Sequence, residues 1–240
     1  MHASNDSGRH FPVRFTHVIA GLLLIGFGWA LSAATAAPKS SGITPRTQST
    51  PSAASELPPP GTYKIDPVHT FVYFSAWHHV VGTVRGRFDK TTGTITVARD
   101  PAVCTLDVTI EAFSLSTQFT ERDDDLRGPD FFEVTKFPTM TYHGQGIRRS
   151  SEGGAWTMDG TLSIRGISKI VPVTFTFKGL FPDVKPGQPL RAAFHATAAA
   201  KRGDFNMTRD NPMELGVPPT PGYDVDIQID VEADAASLKK

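Results

Sequence analysis

One cysteine, Cys104, stands among the 240 residues of this chain. That excludes an internal disulfide and any metal site built on cysteines. The charges cancel, with 24 Lys and Arg against 24 Asp and Glu. No basic stripe is present, so the footprint that nucleic acid demands is missing. Neither H-E-x-x-H nor G-x-S-x-G occurs, which removes two common hydrolytic signatures. Asp123-Asp124-Asp125 lacks the spaced ligands and distal Glu of a calcium loop. It reads as a solvated acidic helix face. Helical periodicity is almost absent downstream of Gly61, and a period of two takes its place.

That period is carried by many segments. Val225, Ile227, Ile229 and Val231 interleave with Asp224, Asp226, Gln228, Asp230 and Glu232. Trp156, Met158, Leu162 and Ile164 do the same with Thr157, Asp159, Thr161 and Ser163, as do Val171, Val173, Phe175 and Phe177 with Pro172, Thr174, Thr176 and Lys178. Successive strand side chains point to opposite faces, so each segment has one dry and one wet face. Many such strands need one shared interior, and a closed antiparallel barrel supplies it without leaving an edge.

The N-terminus sets the expected compartment. A basic flank of Arg9, His10, Arg14 and His17 precedes an apolar run from Val18 to Leu31. That run is shorter than the roughly 20 residues of a membrane span. Ala34-Thr35-Ala36 fits a signal-peptidase site, so residues 1–36 are expected to be a cleaved secretory signal and the product periplasmic. Its removal takes two Arg and one Asp, leaving 22 basic and 23 acidic residues. Residues 37–60 are rich in Ser, Thr and Pro and are expected to form a disordered spacer. The domain proper is placed at 61–234, with a short tail at 235–240.

Strands are expected near 62–66, 69–78, 83–89, 94–98, 103–113, 139–148, 155–165, 170–180, 190–201 and 223–233, the first two joining as one strand bent at Pro67. The stretch from Ser114 to Pro138 is too long for a hairpin loop. Thr117 or Thr120 can cap a short helix there, running through Leu126 and closed by Gly128-Pro129. Such an insertion commonly closes a barrel mouth. The strand 69–78 is apolar on both sides, which either the insertion or a dimer partner would cover. Arg85 and Arg87 read as a solvated face. Cys104 shares phase with Leu106, Val108 and Ile110 and is expected to point inward. Residues 192–200 read AAFHATAAA. Alanines fill little volume, and in a barrel they leave space inside, although close contact with a neighbouring element would also account for them.

Metal and enzyme readings find little support. His69 and His79 lie ten residues apart on one strand, roughly 33 Å if it runs straight. That is too far to share one metal. His143 and His195 alternate with Tyr142 and Phe194 and are expected to look outward. No metal or cofactor is expected.

Several spaced motifs resemble the YceI-like family. Its opening is matched by Ile65-Asp66-Pro67-Val68-His69-Thr70, Phe74, His78 and Val84-Arg85-Gly86-Arg87-Phe88. Arg122-Asp123, Leu126-Arg127, Asp130-Phe131-Phe132 and Phe137-Pro138-Thr139 follow in order. Gly160-Thr161-Leu162-Ser163-Ile164-Arg165-Gly166 fits the midpoint and Lys201-Arg202-Gly203-Asp204-Phe205 the last turn. The likeness covers about Gly61 to Ala233. It implies an all-β fold, an extended lipocalin-like antiparallel barrel of about eight strands with a short helical insertion near 114–138. It also implies a hydrophobic tunnel holding polyisoprenoid or similar amphiphilic chains in the periplasm. Two positions depart from the pattern: Asp125 stands where histidine is common, and Asn206 where glycine is usual.

The reading is a carrier or sequestering protein without chemistry of its own, for a long-chain amphiphile such as a polyisoprenoid or an isoprenoid quinone. The alternatives are an enzyme on an isoprenoid or quinone substrate, with His69, Asp66 or Asp204 as acid-base groups, and a stress-related interaction module with a filled core. Strand phase directs Val72, Phe74, Ala76, Leu106, Val108, Met140, Tyr142, Leu162, Ile164, Phe175, Phe194, Ala196 and Ala198 to the tunnel wall. Arg202 leads the head-group candidates because a guanidinium grips phosphate with paired donors. Lys201, Arg127, Arg122 and His78 are the others. For Arg202 the competing role is a loop-pinning contact with Asp204. The expected partner is an amphiphilic isoprenoid-type lipid; a homodimer and a transient membrane-surface contact are left open.

Overall fold

A computed structural model describes residues 57–78, 82–151, 153–181, 188–207 and 224–236. The expected signal peptide and nearly all of the spacer lie outside these residues. The strands are β1 (Gly61–Ile65), β2 (Phe71–His78), β3 (Gly82–Phe88), β4 (Thr91–Val97), β5 (Thr105–Glu111), β6 (Leu115–Ser116), β7 (Thr139–Gln145), β8 (Arg148–Arg149), β9 (Trp156–Ile164), β10 (Ile167–Phe181), β11 (Arg191–Lys201) and β12 (Asp224–Ala235). Among the described residues one α-helix, α1, spans Thr120–Arg127.

The register shows why twelve short names make a simple barrel. β12 pairs β2 through Val225–Asp230 and β1 through Ala233–Ala235. β1 and β2 are therefore two halves of one strand, interrupted around Pro67, which has no N–H to give to a ladder. The Asp66 N–H and the Thr70 hydroxyl both donate to the Glu232 carbonyl, at 2.9 and 3.2 Å, and stitch the gap. β3 and β4 pair β2 and β1 in the same way, and β5 and β6 pair β4 and β3. Counted as continuous strands, the ring has eight members, each antiparallel to its chain neighbour, and β12 closes on the first. Closure leaves no long edge to be capped.

Local chemistry explains the joints. Ile164 and Ile167 pair directly, so Arg165 and Gly166 alone make the hairpin turn, with φ of 53° and 72°. Positive φ at both positions matches the twist of the flanking strands. The turn is tighter than the gap expected between strands 155–165 and 170–180, because β10 starts at Ile167. β5 starts at Thr105, because Asp100 caps a short 3₁₀ turn over Pro101–Val103. Cys104 still points inward and is buried.

The insertion differs from expectation in its capping. Neither Thr117 nor Thr120 caps α1; Phe119 occupies the N-cap position without a side-chain bond. Instead the buried Asp123 carboxylate accepts from both the Thr117 N–H (2.7 Å) and its hydroxyl (2.5 Å). Asp124 pairs with Arg127 at 3.2 Å. The acidic run is thus solvated only in part: Asp124 and Asp125 are exposed, as expected, while Asp123 is internal. Gly128 ends the helix as expected. β6 reaches only Arg87 and Phe88 of β3. Beyond it, Thr117 sits so close that a Cβ on Gly86 would stand 2.8 Å from its methyl group. The insertion takes over where strand pairing stops. The outer face of β2 is covered in part by its own hairpin partner, since the Arg87 guanidinium lies over the Phe71 ring at 5.2 Å. Arg85 and Arg87 are both exposed, as expected, and Arg87 covers Phe71 from that position.

Candidate functional site: an apolar lumen with a charged end

Alternation along eight strands delivers apolar side chains to one interior, and they do not fill it. The barrel encloses a lumen of about 560 Å³. All thirteen residues assigned to the wall by strand phase line it. Ala196 and Ala198 face it from β11, where Ala192 nearer the other end is fully buried. Met158, Val171 and Val173 share the same strand phases and also line it. Phe131, Phe132, Phe205 and Met207 line it too, from turns rather than strands. No period of two marks such residues.

Tyr142 is the main polar group along the wall, and it is satisfied. Its hydroxyl bonds the Val171 and Met158 carbonyls at 3.1 and 3.3 Å. Burial first, and then the nearby Asp159 charge, push this phenol well above its ordinary value. It stays neutral and donating.

Charge gathers at one end. Val225 is the register partner of both Ala76 and Ala200, so the ends of β2, β11 and β12 meet there. Arg202 follows in the 3₁₀ turn Arg202–Phe205, lines the lumen, and lies over the Phe131 ring at 5.8 Å. Arg122 and Asp125 reach the same lumen from α1. Arg122 is held by the Thr117 hydroxyl (2.7 Å) and carbonyl (3.1 Å). Arg165 ties these segments together, donating to the carbonyls of Phe131 at 2.7 Å and Asn206 at 3.0 Å.

The remaining head-group candidates sit elsewhere. Arg127 does not line the lumen; it donates to the Leu115 and Phe113 carbonyls and lies 4.9 Å over the Phe113 ring. It fastens α1 to the turn before β6 and to the start of β6. Lys201 is exposed and outside the lining. His78 ends β2, and its side chain lies outside the described residues.

The acid-base alternatives are also outside the lumen. Asp66 and His69 pair at 2.7 Å in the break between β1 and β2. Arg191 bonds Asp66 at 2.8 Å, Glu232 at 2.8 Å and Asp234 at 2.7 Å. Asp66, His69 and Glu232 present ligand atoms within 4.8 Å of one another, but both carboxylates are already bonded to the Arg191 guanidinium. The cluster is a pin across the seam. Burial pushes the Asp66 carboxyl up; the His69 hydrogen bond, the Val68 N–H and Arg191 outweigh it, so its pKa falls below the usual range. Asp204 is exposed in its turn. His143 and His195 face outward, as expected, beside Asp107 (2.5 Å) and Asp230 (2.8 Å).

Fold and site together define an up-and-down β-barrel built around an apolar lumen. The pattern of the YceI-like domain matches residues 63–233, and the chain belongs to the YceI-like family. Protein YceI of Salmonella newport (strain SL254) is 34% identical over 151 residues, covering 62% of this chain and 77% of that protein. The crystal structure of the Campylobacter jejuni YceI protein is 28% identical with a TM-score of 0.55, covering 67% of this chain and 90% of that one. A polyisoprenoid binding domain from Saccharophagus degradans superposes with a TM-score of 0.54 at 14% identity, over 72% of this chain and 98% of that one. The last shares the fold.

Proposed function

We propose that this protein is a periplasmic carrier or sequestering protein for a long apolar chain with a polar head, a polyisoprenoid or an isoprenoid quinone. The observation that supports this most is the polarity of the lumen: an apolar bore of about 560 Å³ with Arg122, Asp125 and Arg202 at one end. At about 30 Å³ per water-sized group, it has room for roughly 20 such groups. A longer prenyl chain keeps its remainder outside or spreads the barrel. Burying several hundred Å² of chain gives on the order of 10 kcal/mol of gross driving force, before association costs of similar size. The polyisoprenoid-binding neighbour of the same fold supports the ligand class.

In this reading the protein holds and releases its ligand without altering it, since Asp66, His69 and Asp204 do not line the lumen. Exchange with a lipid surface fits Trp77, which lines the lumen yet is 48% exposed. A ring that is apolar on its body and polar at one edge suits a membrane interface. The N-terminal basic and apolar pattern supports export.

Native mass spectrometry of protein purified from its own periplasm, followed by organic extraction, tests the reading. A bound amphiphile at near one per chain is expected. A chain recovered from the cytoplasm alone, or no extractable lipid and no uptake of geranylgeraniol, overturns it. Arg202→Gln then examines the head group: affinity should fall for a pyrophosphorylated prenyl chain and hardly change for a neutral quinone with the same tail. Equal losses, or none, leave Arg202 a structural residue.

A further inference from the structure

Gly144 of β7 and Gly160 of β9 face each other as register partners. Both have ordinary strand conformations, so neither is required by backbone geometry. What each supplies is room. A Cβ on Gly160 would run into Cζ, Oη and Cε1 of Tyr142, well inside van der Waals contact. A Cβ on Gly144 would collide with Sδ and Cγ of Met158 in the same way. Tyr142 lies two residues before Gly144 on its strand, and Met158 two residues before Gly160. Each side chain therefore crosses to the other strand and lies down over that strand's glycine.

The hydroxyl bonds fix how the ring lies. Val171 is the register partner of Gly160 on the next strand. Tyr142 starts on β7, passes over Gly160 of β9 and ends on the Val171 carbonyl of β10 at 3.1 Å. The ring is thus flat against the wall across one whole strand. Both Tyr142 and Met158 still line the lumen, but the glycines beneath them do not. They are panels set into a recess.

We infer that the Gly144–Gly160 pair sets the cross-section of the lumen, and so admits methyl-branched chains that a narrower bore would reject. This rests on the carrier reading above and adds which shape of chain is carried. A ring that cannot lie flat has to turn into the bore, because the wall behind it is backbone and cannot retreat. A prenyl chain carries a methyl branch on every repeat and needs the full width. A straight alkyl chain of the same length does not, and it tolerates the narrowed bore.

Two probes measure this: geranylgeraniol, branched, and a straight-chain primary alcohol of equal chain length, each titrated into delipidated full-length protein. Gly160→Ala should weaken geranylgeraniol at least about tenfold, the size of effect one misfitting methylene has in an apolar pocket. The straight alcohol should change by less than about threefold, under the same single-methylene scale. Removing the ring as well, in Gly160→Ala with Tyr142→Leu, should restore geranylgeraniol binding. Gly144→Ala displaces mainly the flexible Met158 thioether and only grazes the Tyr142 ring, at 3.3 Å from its Cε1, so it should shift the ratio in the same direction by less. That variant keeps the test decisive should Gly160→Ala fail to fold. Equal losses for both probes, or no loss for either, overturn the inference while leaving the carrier reading intact. A wild-type protein that binds neither probe overturns both.

Discussion

At Asn206, where the family resemblance leads one to expect glycine, the backbone takes the conformation that glycine favours. The residue has φ of 56°, in the left-handed region, and its N–H bonds the Gly203 carbonyl at 3.1 Å. Glycine adopts that region freely and asparagine is among the few residues that follow it. Asn206→Gly should therefore leave the urea midpoint nearly unchanged, whereas Asn206→Val should cost about 1–2 kcal/mol. The pin at Arg191 is more demanding. Arg191→Met strands Asp66, Glu232 and Asp234 without their cation, and should destabilise by about 2 kcal/mol in equilibrium urea unfolding. Because the folded pKa of Asp66 lies below its unfolded value, its contribution is complete above about pH 4. It is lost as pH falls through the lower, folded value. Asp66→Asn should be less stable than the parent at neutral pH, and the gap should close on acidification. A gap that stays constant down the acid limb would remove Asp66 from the account.

Among elements, strands and insertion were legible in the sequence to different degrees. Alternation named the wall of the lumen because a strand's faces follow from parity alone. It worked for Phe74, Leu162 and Ala196, while the proline itself, lacking an N–H, placed the bend at Pro67. Parity says nothing about residues that enter from turns, so Phe131, Phe205 and Met207 gave no signal. Nor does it distinguish a solvated acid from a buried one. Asp123 looks like its neighbours in sequence and differs only because Thr117 offers it two donors. Arg127 was misplaced for a similar reason, since carbonyls at a strand end compete for a guanidinium as well as any ligand. The glycine recess left a trace in the Gly160 motif, but its meaning needed the positions of Tyr142 and Met158. At this scale, Ala196→Phe should fill the lumen and reduce extractable lipid while thermal unfolding stays cooperative. Arg165→Met should release Phe131 and Asn206, and faster amide exchange in 128–134 and 202–207 with unchanged strands would show it. Uniform loss of protection would instead mean that Arg165 supports the whole barrel.

For the molecule as a whole, the ring order has its own consequence. Every pairing in the ring but one joins chain neighbours, and the exception is the first strand against the last. The Ala236 N–H donates to the Thr62 carbonyl at 2.8 Å, so the two ends of the domain touch. The barrel therefore has no structural beginning. Joining residue 61 to residue 236 through a short linker, and opening the chain between Gly153 and Gly154, should give a permutant with the same circular-dichroism spectrum. Nothing lies within 4 Å of where a Cβ would stand on either glycine. The permutant turns the β1–β12 seam, which spans the whole domain in the natural order, into a local hairpin. Loop-closure cost shrinks for that seam and grows for β7–β9 and β8–β9, so refolding should reach the same end state at a different rate.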